Sequence, residues 1–139
     1  MHVSLYGCYT FVVSFVDSLR VQLRDGSNAL EGRVYYWRTG SLRKVCDDYF
    51  SSNDASVICR QLGFGSMVRY YADFLSYQTQ YAFGFRYSYS SSDYWLWQLQ
   101  CDGTELFLHH CRHGGWSASC LGYEDAGVQC NCKYTNILD

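Results

Sequence analysis

Apolar residues recur at Ala55, Ile58, Cys59 and Leu62, the i, i+3, i+4, i+7 spacing of one buried face on a short α-helix. Ser51, Ser52 and Asn53 stand before that run as candidate N-caps, and Asp54 suits the first turn through its charge. Gly63 follows where a left-handed C-cap belongs. Elsewhere the period is two. Leu19, Val21 and Leu23 alternate with polar residues and predict a half-buried strand, followed by an Asp-Gly-Ser-Asn turn at 25–28. Further strands are predicted over Arg33–Trp37 and Leu42–Val45, joined by a Thr-Gly-Ser turn. Trp95, Trp97 and Leu99 alternate into Cys101 as another strand, and a short terminal strand ends at Cys130. Residues 104–111 predict an irregular or helical turn, and 112–119 a glycine-rich loop around Trp116.

Between 66 and 94 the apolar character is almost wholly aromatic. Tyr81, Phe83, Phe85, Tyr87 and Tyr89 alternate strictly with small or polar residues, giving a strand with one aromatic face. Two readings stand for it. The aromatic face is a tyrosine-rich core layer, or Tyr87 and Tyr89 belong to a ligand surface, where rigid rings with hydroxyl rims bind well.

Composition narrows the class. The chain has 139 residues, which predicts one domain, and eight cysteines. No Cys-x-x-Cys pair of the zinc type occurs, so the cysteines read as a disulfide framework in an oxidising compartment. Six cysteines from Cys46 to Cys130 admit fifteen pairings on arithmetic alone. Net charge is −2, with bases concentrated before Cys46 and acids after it. No basic stripe or nucleic-acid-binding module is present, which argues against nucleic acid as a partner. Leu5–Val16 is apolar but too short to span a bilayer, and lacks a basic residue in front of it. It reads as a signal segment or as a leading strand.

No constellation of catalytic residues stands out. His109, His110 and His113 invite a metal reading with Cys111, but adjacent histidines on an extended chain point apart, and Cys111 is better used as a disulfide partner. The acidic pairs Asp47–Asp48 and Glu124–Asp125 carry more interest. Carboxylates gathered at one place repel, and a hard divalent cation relieves that repulsion. The plain alternative is that they cap turns or pair with arginine.

Several strings taken together closely resemble the scavenger receptor cysteine-rich domain. They are EGRV (31–34), VCDD (45–48), NDA (53–55), VICRQLG (57–63), CDGTE (101–105) and EDAGV (124–128), with matching cysteine intervals except for a long one from 59 to 101. The resemblance implies an α+β fold, a curved antiparallel sheet cradling one short helix and stapled by disulfides. It implies the pairs Cys46–Cys120, Cys59–Cys130 and Cys101–Cys111 of the six-cysteine group A, leaving Cys8 and Cys132 outside the pattern. It also implies that Asp47, Asp48 and Glu124 match calcium-binding positions. Departures are Leu42-Arg43-Lys44, where the family has Trp-Gly-Thr, and Trp97-Gln98, where it often has an acidic pair.

The expected organisation is a signal or leading segment over 1–18, the domain over 19–131 with its aromatic insertion at about 66–94, and a tail over 132–139. The expected function is non-enzymatic: an extracellular, secreted or membrane-associated recognition module with scavenger-receptor-like activity, binding polyanionic or protein ligands with calcium assistance. The alternative is a non-catalytic accessory domain of an extracellular protease or oxidase. Either way the partner is extracellular, and the chain belongs to a larger receptor or multidomain protein.

Overall fold

The computed structural model describes residues 2–5, 8–11, 16, 19–26, 28–47, 49–65, 67–71, 94–116 and 126–132. Its strands are β1 (His2–Leu5), β2 (Cys8–Phe11), β3 (Val21–Asp25), β4 (Glu31–Arg38), β5 (Ser41–Val45), β6 (Met67–Tyr71), β7 (Tyr94–Trp97), β8 (Gly115–Trp116) and β9 (Gly127–Cys130). A helix, α1, covers Ser52–Gln61, and a 3₁₀ turn covers Leu108–His110. β1 and β2 form a separate antiparallel pair. The other seven strands make one sheet in the order β6-β9-β4-β5-β7-β8, with β3 also paired to β4. Among the described residues no helix is long and apolar enough to cross a membrane.

The predicted α+β class holds, with one difference in the sheet. Among the described strands every pairing is antiparallel except β5 with β7, which run parallel. A parallel neighbour needs a long crossover, and the chain from 46 to 93 supplies it. Sequence alternation cannot reveal such a non-local partner.

Three other expectations need correction, and β6 has no counterpart in the sequence reading. Leu19 lies in a turn and is exposed, because β3 begins at Val21. The region 66–94 opens with β6, which pairs with β9 and lengthens the sheet at its other edge. Leu99 falls beyond the end of β7, although it is fully buried. Trp116 lies in β8, which pairs with Leu96 and Trp97 rather than hanging in a loop. The aromatic alternation from Tyr81 to Tyr89, including Tyr87 and Tyr89, lies outside the described residues.

α1 starts and stops for local reasons. Asp54 reaches back from the third helical position and accepts the Ser51 backbone N–H at 2.7 Å, satisfying a donor at the helix start. At the other end Gly63 takes φ 83°, and its N–H donates to the Arg60 carbonyl while Phe64 N–H donates to the Cys59 carbonyl. Those two bonds form a Schellman motif, and only glycine adopts that φ without strain. The buried face carries Ala55, Val57, Ile58 and Cys59, packed with Val34, Val45, Leu96, Leu99, Leu108, Ala126 and Val128. Leu62 is only partly buried. A ten-residue helix owes its persistence to this packing.

Disulfides reinforce it. Cys59 of α1 is bonded to Cys130 of β9, and Cys101 to Cys111. In the chain-entropy picture the first, closing a separation of 71 residues, stabilises by about 4 kcal/mol, and the second, closing 10, by about 3 kcal/mol. Cys46 and Cys132 are also disulfide-bonded. Cys120, the implied partner of Cys46, lies outside the described residues.

Candidate functional site

Two polar residues of α1, together with Arg60, bracket the helix to the 101–111 loop. Asp54 is fully buried, and its second carboxylate oxygen accepts the Cys101 backbone N–H at 2.7 Å. Two turns further along the helix, Gln61 accepts the Leu108 N–H through Oε1 at 2.6 Å. The two sit at i and i+7, on one face. Arg60 donates to the backbone carbonyls of Gly103 and Glu105. Burial, the largest influence, pushes the Asp54 carboxyl above its ordinary value, against the hydrogen bonds from Cys101 and Ser51 that pull it down. The loop also closes on itself, as Glu105 accepts the backbone N–H groups of Asp102 and Gly103 at 2.9 and 3.0 Å.

The bracketed loop sets the course of the chain beyond it. Gln100 N–H donates to the Arg112 carbonyl at 2.7 Å, so His113 and Trp116 leave the disulfide loop in a set direction. They meet β4. A cleft of about 380 Å³ opens there, lined by Arg20, Tyr36, Arg38, His109, His113 and Trp116. Trp37 N–H donates to the Arg20 carbonyl at 2.6 Å, which ties Arg20 to the same strand. The Arg38 guanidinium carbon lies 4.3 Å from the Trp116 ring centroid and 5.2 Å from that of Trp95. Arg43 covers Trp95 at 4.2 Å, and Trp95 Nε1 donates to the Ser41 carbonyl at 2.9 Å. Four neighbouring strands, β4, β5, β7 and β8, thus contribute one interleaved set of arginines and tryptophans. Tyr36 and His113 close it, with ring centroids 5.3 and 5.1 Å from Trp116.

His113 is the titratable centre of the cleft. Burial first, and then the positive charge of Arg38, hold its imidazole below the ordinary value, while a contact with the Gly115 backbone acts weakly the other way. Its Nδ1 is buried and makes no well-formed hydrogen bond among the described residues.

The histidines next to the cleft depart from expectation. His109 and His110 lie on a 3₁₀ turn rather than an extended stretch, so their rings do not point apart; their centroids are 4.3 Å apart, and Phe107 stacks on His109. Cys101, Glu105 and Cys111 also bring candidate ligand atoms within 4.8 Å of one another. Both sulfurs there belong to one disulfide, so neither is a thiolate, and the group does not suit a metal.

Of the three acids expected to hold calcium, Asp47 alone is described. It is half-buried and follows Cys46 directly. Asp48 and Glu124 lie outside the described residues. The Ala126 N–H donates to the Val45 carbonyl at 3.0 Å, so the chain entering β9 runs beside the chain entering VCDD.

Comparison with known proteins agrees with this outline. The family described as scavenger receptor cysteine-rich domain matches residues 24–131. Macrophage receptor MARCO of Mesocricetus auratus is 34% identical over 114 residues, covering 79% of this chain and 20% of that protein. Lysyl oxidase homolog 3 of Homo sapiens is 37% identical over 117 residues, covering 84% of this chain and 14% of that protein. The chain therefore spans a fifth or less of the length of these relatives. Among solved structures, the third SRCR domain of murine neurotrypsin superposes with a TM-score of 0.62 at 30% identity, covering 84% of this chain and 97% of that one. The dimeric form of the SRCR domain of mouse MARCO gives 0.59 at 30% identity, with 82% and 97% covered.

Proposed function

This chain belongs to the scavenger receptor cysteine-rich family, and from that premise we propose that it serves as a non-catalytic accessory domain within a larger extracellular protein. Domains of this family are recognition modules without catalysis, and the disulfide framework matches an extracellular or secreted setting. One observation carries the accessory reading. The chain covers 97% of an isolated SRCR domain but only 14% of a lysyl oxidase homolog, which is the relation of one module to a multidomain protein. The similarity to Macrophage receptor MARCO supports a second reading, a scavenger-type receptor domain that binds polyanionic ligands. The six-cysteine group A subtype fits both, with Cys46–Cys120 as its third bridge.

Sequencing the transcript beyond both ends of this domain tests the proposal. An oxidase or protease domain in the same reading frame supports the accessory role. A collagen-like stalk supports the receptor reading instead, and an open reading frame with no further domain refutes the accessory role.

Calcium belongs to the same proposal. Asp47, Asp48 and Glu124 would supply carboxylate oxygens to one Ca²⁺, with water or a ligand's sulfate completing the shell. The hydrogen bond from the Ala126 N–H to the Val45 carbonyl supports this, because it sets the start of β9 against the residue that precedes Cys46. Calorimetric titration with Ca²⁺ should reveal one weak site, in the extracellular range of about 10⁻⁴ to 10⁻³ M. Asp48→Asn with Glu124→Gln should abolish the heat without lowering the melting temperature. Unchanged heat in that variant removes the site.

A further inference from the structure

We propose that the cleft between β4, β8 and the 3₁₀ turn is a receptor site for a single oxyanion, a carboxylate or a sulfate ester, held by the edge of Arg38 with His113 beside it. The site is separate from the acidic segments and does not depend on calcium.

The argument begins with what stacking does to an arginine. A guanidinium set over an aromatic face uses its π surface and keeps its N–H groups in its own plane, where they form a fork that matches an oxyanion. Arg38 lies over Trp116 at 4.3 Å, and Trp95, whose ring stands at 80° to that of Trp116, flanks it at 5.2 Å, so the two indoles hold it from the β7–β8 side. Among the described residues no carboxylate pairs with it: the ion pairs of this region join Arg33 to Asp25 and Arg112 to Asp102. Its charge is thus held in place without a counter-ion from that set. Arg43 makes the contrast. It also covers Trp95, but spends its Nε–H on Ser41 Oγ at 3.3 Å.

The described side chains in the rest of the cleft carry one sign of charge. Arg20 and Arg38 come from the β3–β4 side, His109 and His113 from the segment after the disulfide loop, and among the described residues no acidic side chain lines it. Tyr36 and Trp116 supply the walls. A concave site walled by aromatic rings, with cationic groups converging on it, concentrates field and favours an anion. Its volume of about 380 Å³ accommodates an oxyanion together with the sugar or amino-acid ring that bears it.

His113 gives the site a pH signature. Among the described residues Arg38, Arg20, His109, Tyr36 and Trp116 line the cleft with it, so no acid of that set favours its protonation from within the cleft. Its lowered proton affinity, caused by burial and by Arg38, leaves it neutral at neutral pH. A bound oxyanion reverses that influence, so binding takes up a proton and tightens as the pH falls below the ordinary imidazole value.

The experiment titrates this 139-residue chain with glucuronate, glucose 6-sulfate and neutral glucose, following the Arg38 Nε–H, the His113 ring and the Trp116 indole by NMR. Saturable shifts with either anion and none with glucose are expected, and the arm that binds identifies the oxyanion. Arg38→Lys keeps the charge but loses the fork, and should weaken binding at least about tenfold. His113→Gln should lack the tightening that the wild type shows between about pH 7.5 and about pH 5.5. If Arg38→Lys fails to fold, the His113→Gln profile decides. Shifts spread evenly over basic residues without saturation, undiminished binding by folded Arg38→Lys, or an unchanged pH profile in His113→Gln overturns the proposal.

Discussion

Asp54 offers the sharpest test of how this fold is held. Both of its oxygens accept backbone N–H groups at 2.7 Å, one at Ser51 where α1 begins and one at Cys101 where the disulfide loop begins. Asp54→Ala removes both acceptors and leaves the Cys101 N–H buried with nothing to bond. Hydrogen bonds to a charged group are worth about 1.5–3 kcal/mol each, and an orphaned buried donor costs about 1–3 kcal/mol. Against this, the substitution relieves the cost of burying a carboxylate. The net loss should be about 2–4 kcal/mol, a large share of the stability of a small domain. Asp54→Asn keeps an oxygen for Cys101 but turns an amide donor toward the Ser51 N–H, and should lose about 1–2 kcal/mol. Guanidinium unfolding with the disulfides intact measures both. The native carboxyl has a raised proton affinity, so the native state binds more protons than the unfolded chain above the ordinary carboxyl value of 3.8. This group's contribution is therefore fully present below 3.8 and is lost as the pH rises through the higher native value. Asp54→Asn should lack that dependence. If both variants unfold within about 0.5 kcal/mol of the wild type, the bracket between α1 and the loop carries no stability and the reasoning fails.

Glu105 should show the opposite sign. Burial raises its carboxyl, but the backbone amides of Asp102, Glu105, Gly103 and Thr104 together outweigh it and bring the value below 4.5. Its contribution is present above 4.5 and is lost as the pH falls through the lower native value, so Glu105→Gln should flatten the acid limb of the stability curve; parallel curves for variant and wild type would count against this. Gly32→Ala should destabilise by about 2–4 kcal/mol in the same unfolding assay, since φ is 155° and a Cβ would lie 2.3 Å from the Arg24 carbonyl oxygen; a loss below about 0.5 kcal/mol would show that β3 shifts freely. Replacing Tyr87 and Tyr89 by Ser should weaken ligand retention with little change in melting temperature if those rings bind a partner. A large fall in melting temperature with unchanged binding assigns them to the core.

Local features of this fold are legible in the sequence because local physics makes them. The helix follows from Ala55, Ile58 and Cys59 at helical spacing, and its end from Gly63. β4 and β5 follow from alternation around a short turn. The parallel pairing of β5 with β7 and the two-residue β8 are not local, and nothing in the spacing of their residues announces them. Asp54 shows a subtler limit. Its position suggests a charge at an exposed helix start, whereas the residue is buried because its partner at Cys101 lies 47 positions away. The aspartate in NDA and the glutamine in CRQLG gain their meaning only from that loop. His109 and His110 misled for the same reason, since a 3₁₀ turn, not an extended strand, sets the direction of their rings.

The cleft lay beyond sequence reading altogether, as its six lining residues come from positions 20, 36–38 and 109–116. Its geometry nonetheless depends on the most legible part of the chain. His109, His113 and Trp116 belong to or leave directly from a loop closed by Cys101–Cys111 and anchored to α1 through Asp54, Arg60 and Gln61. Arg38 and Tyr36 sit on β4, which pairs with β3, β5 and β9, and β9 is bonded to α1 through Cys59–Cys130. Both walls of the cleft are therefore referred to the same helix by separate covalent or buried polar links. Loosening one link should move His113 relative to Arg38 while leaving each wall intact. Asp54→Asn, in which the fold persists but one anchor weakens, should then blur the Arg38–Trp116 stack before the sheet itself begins to unfold.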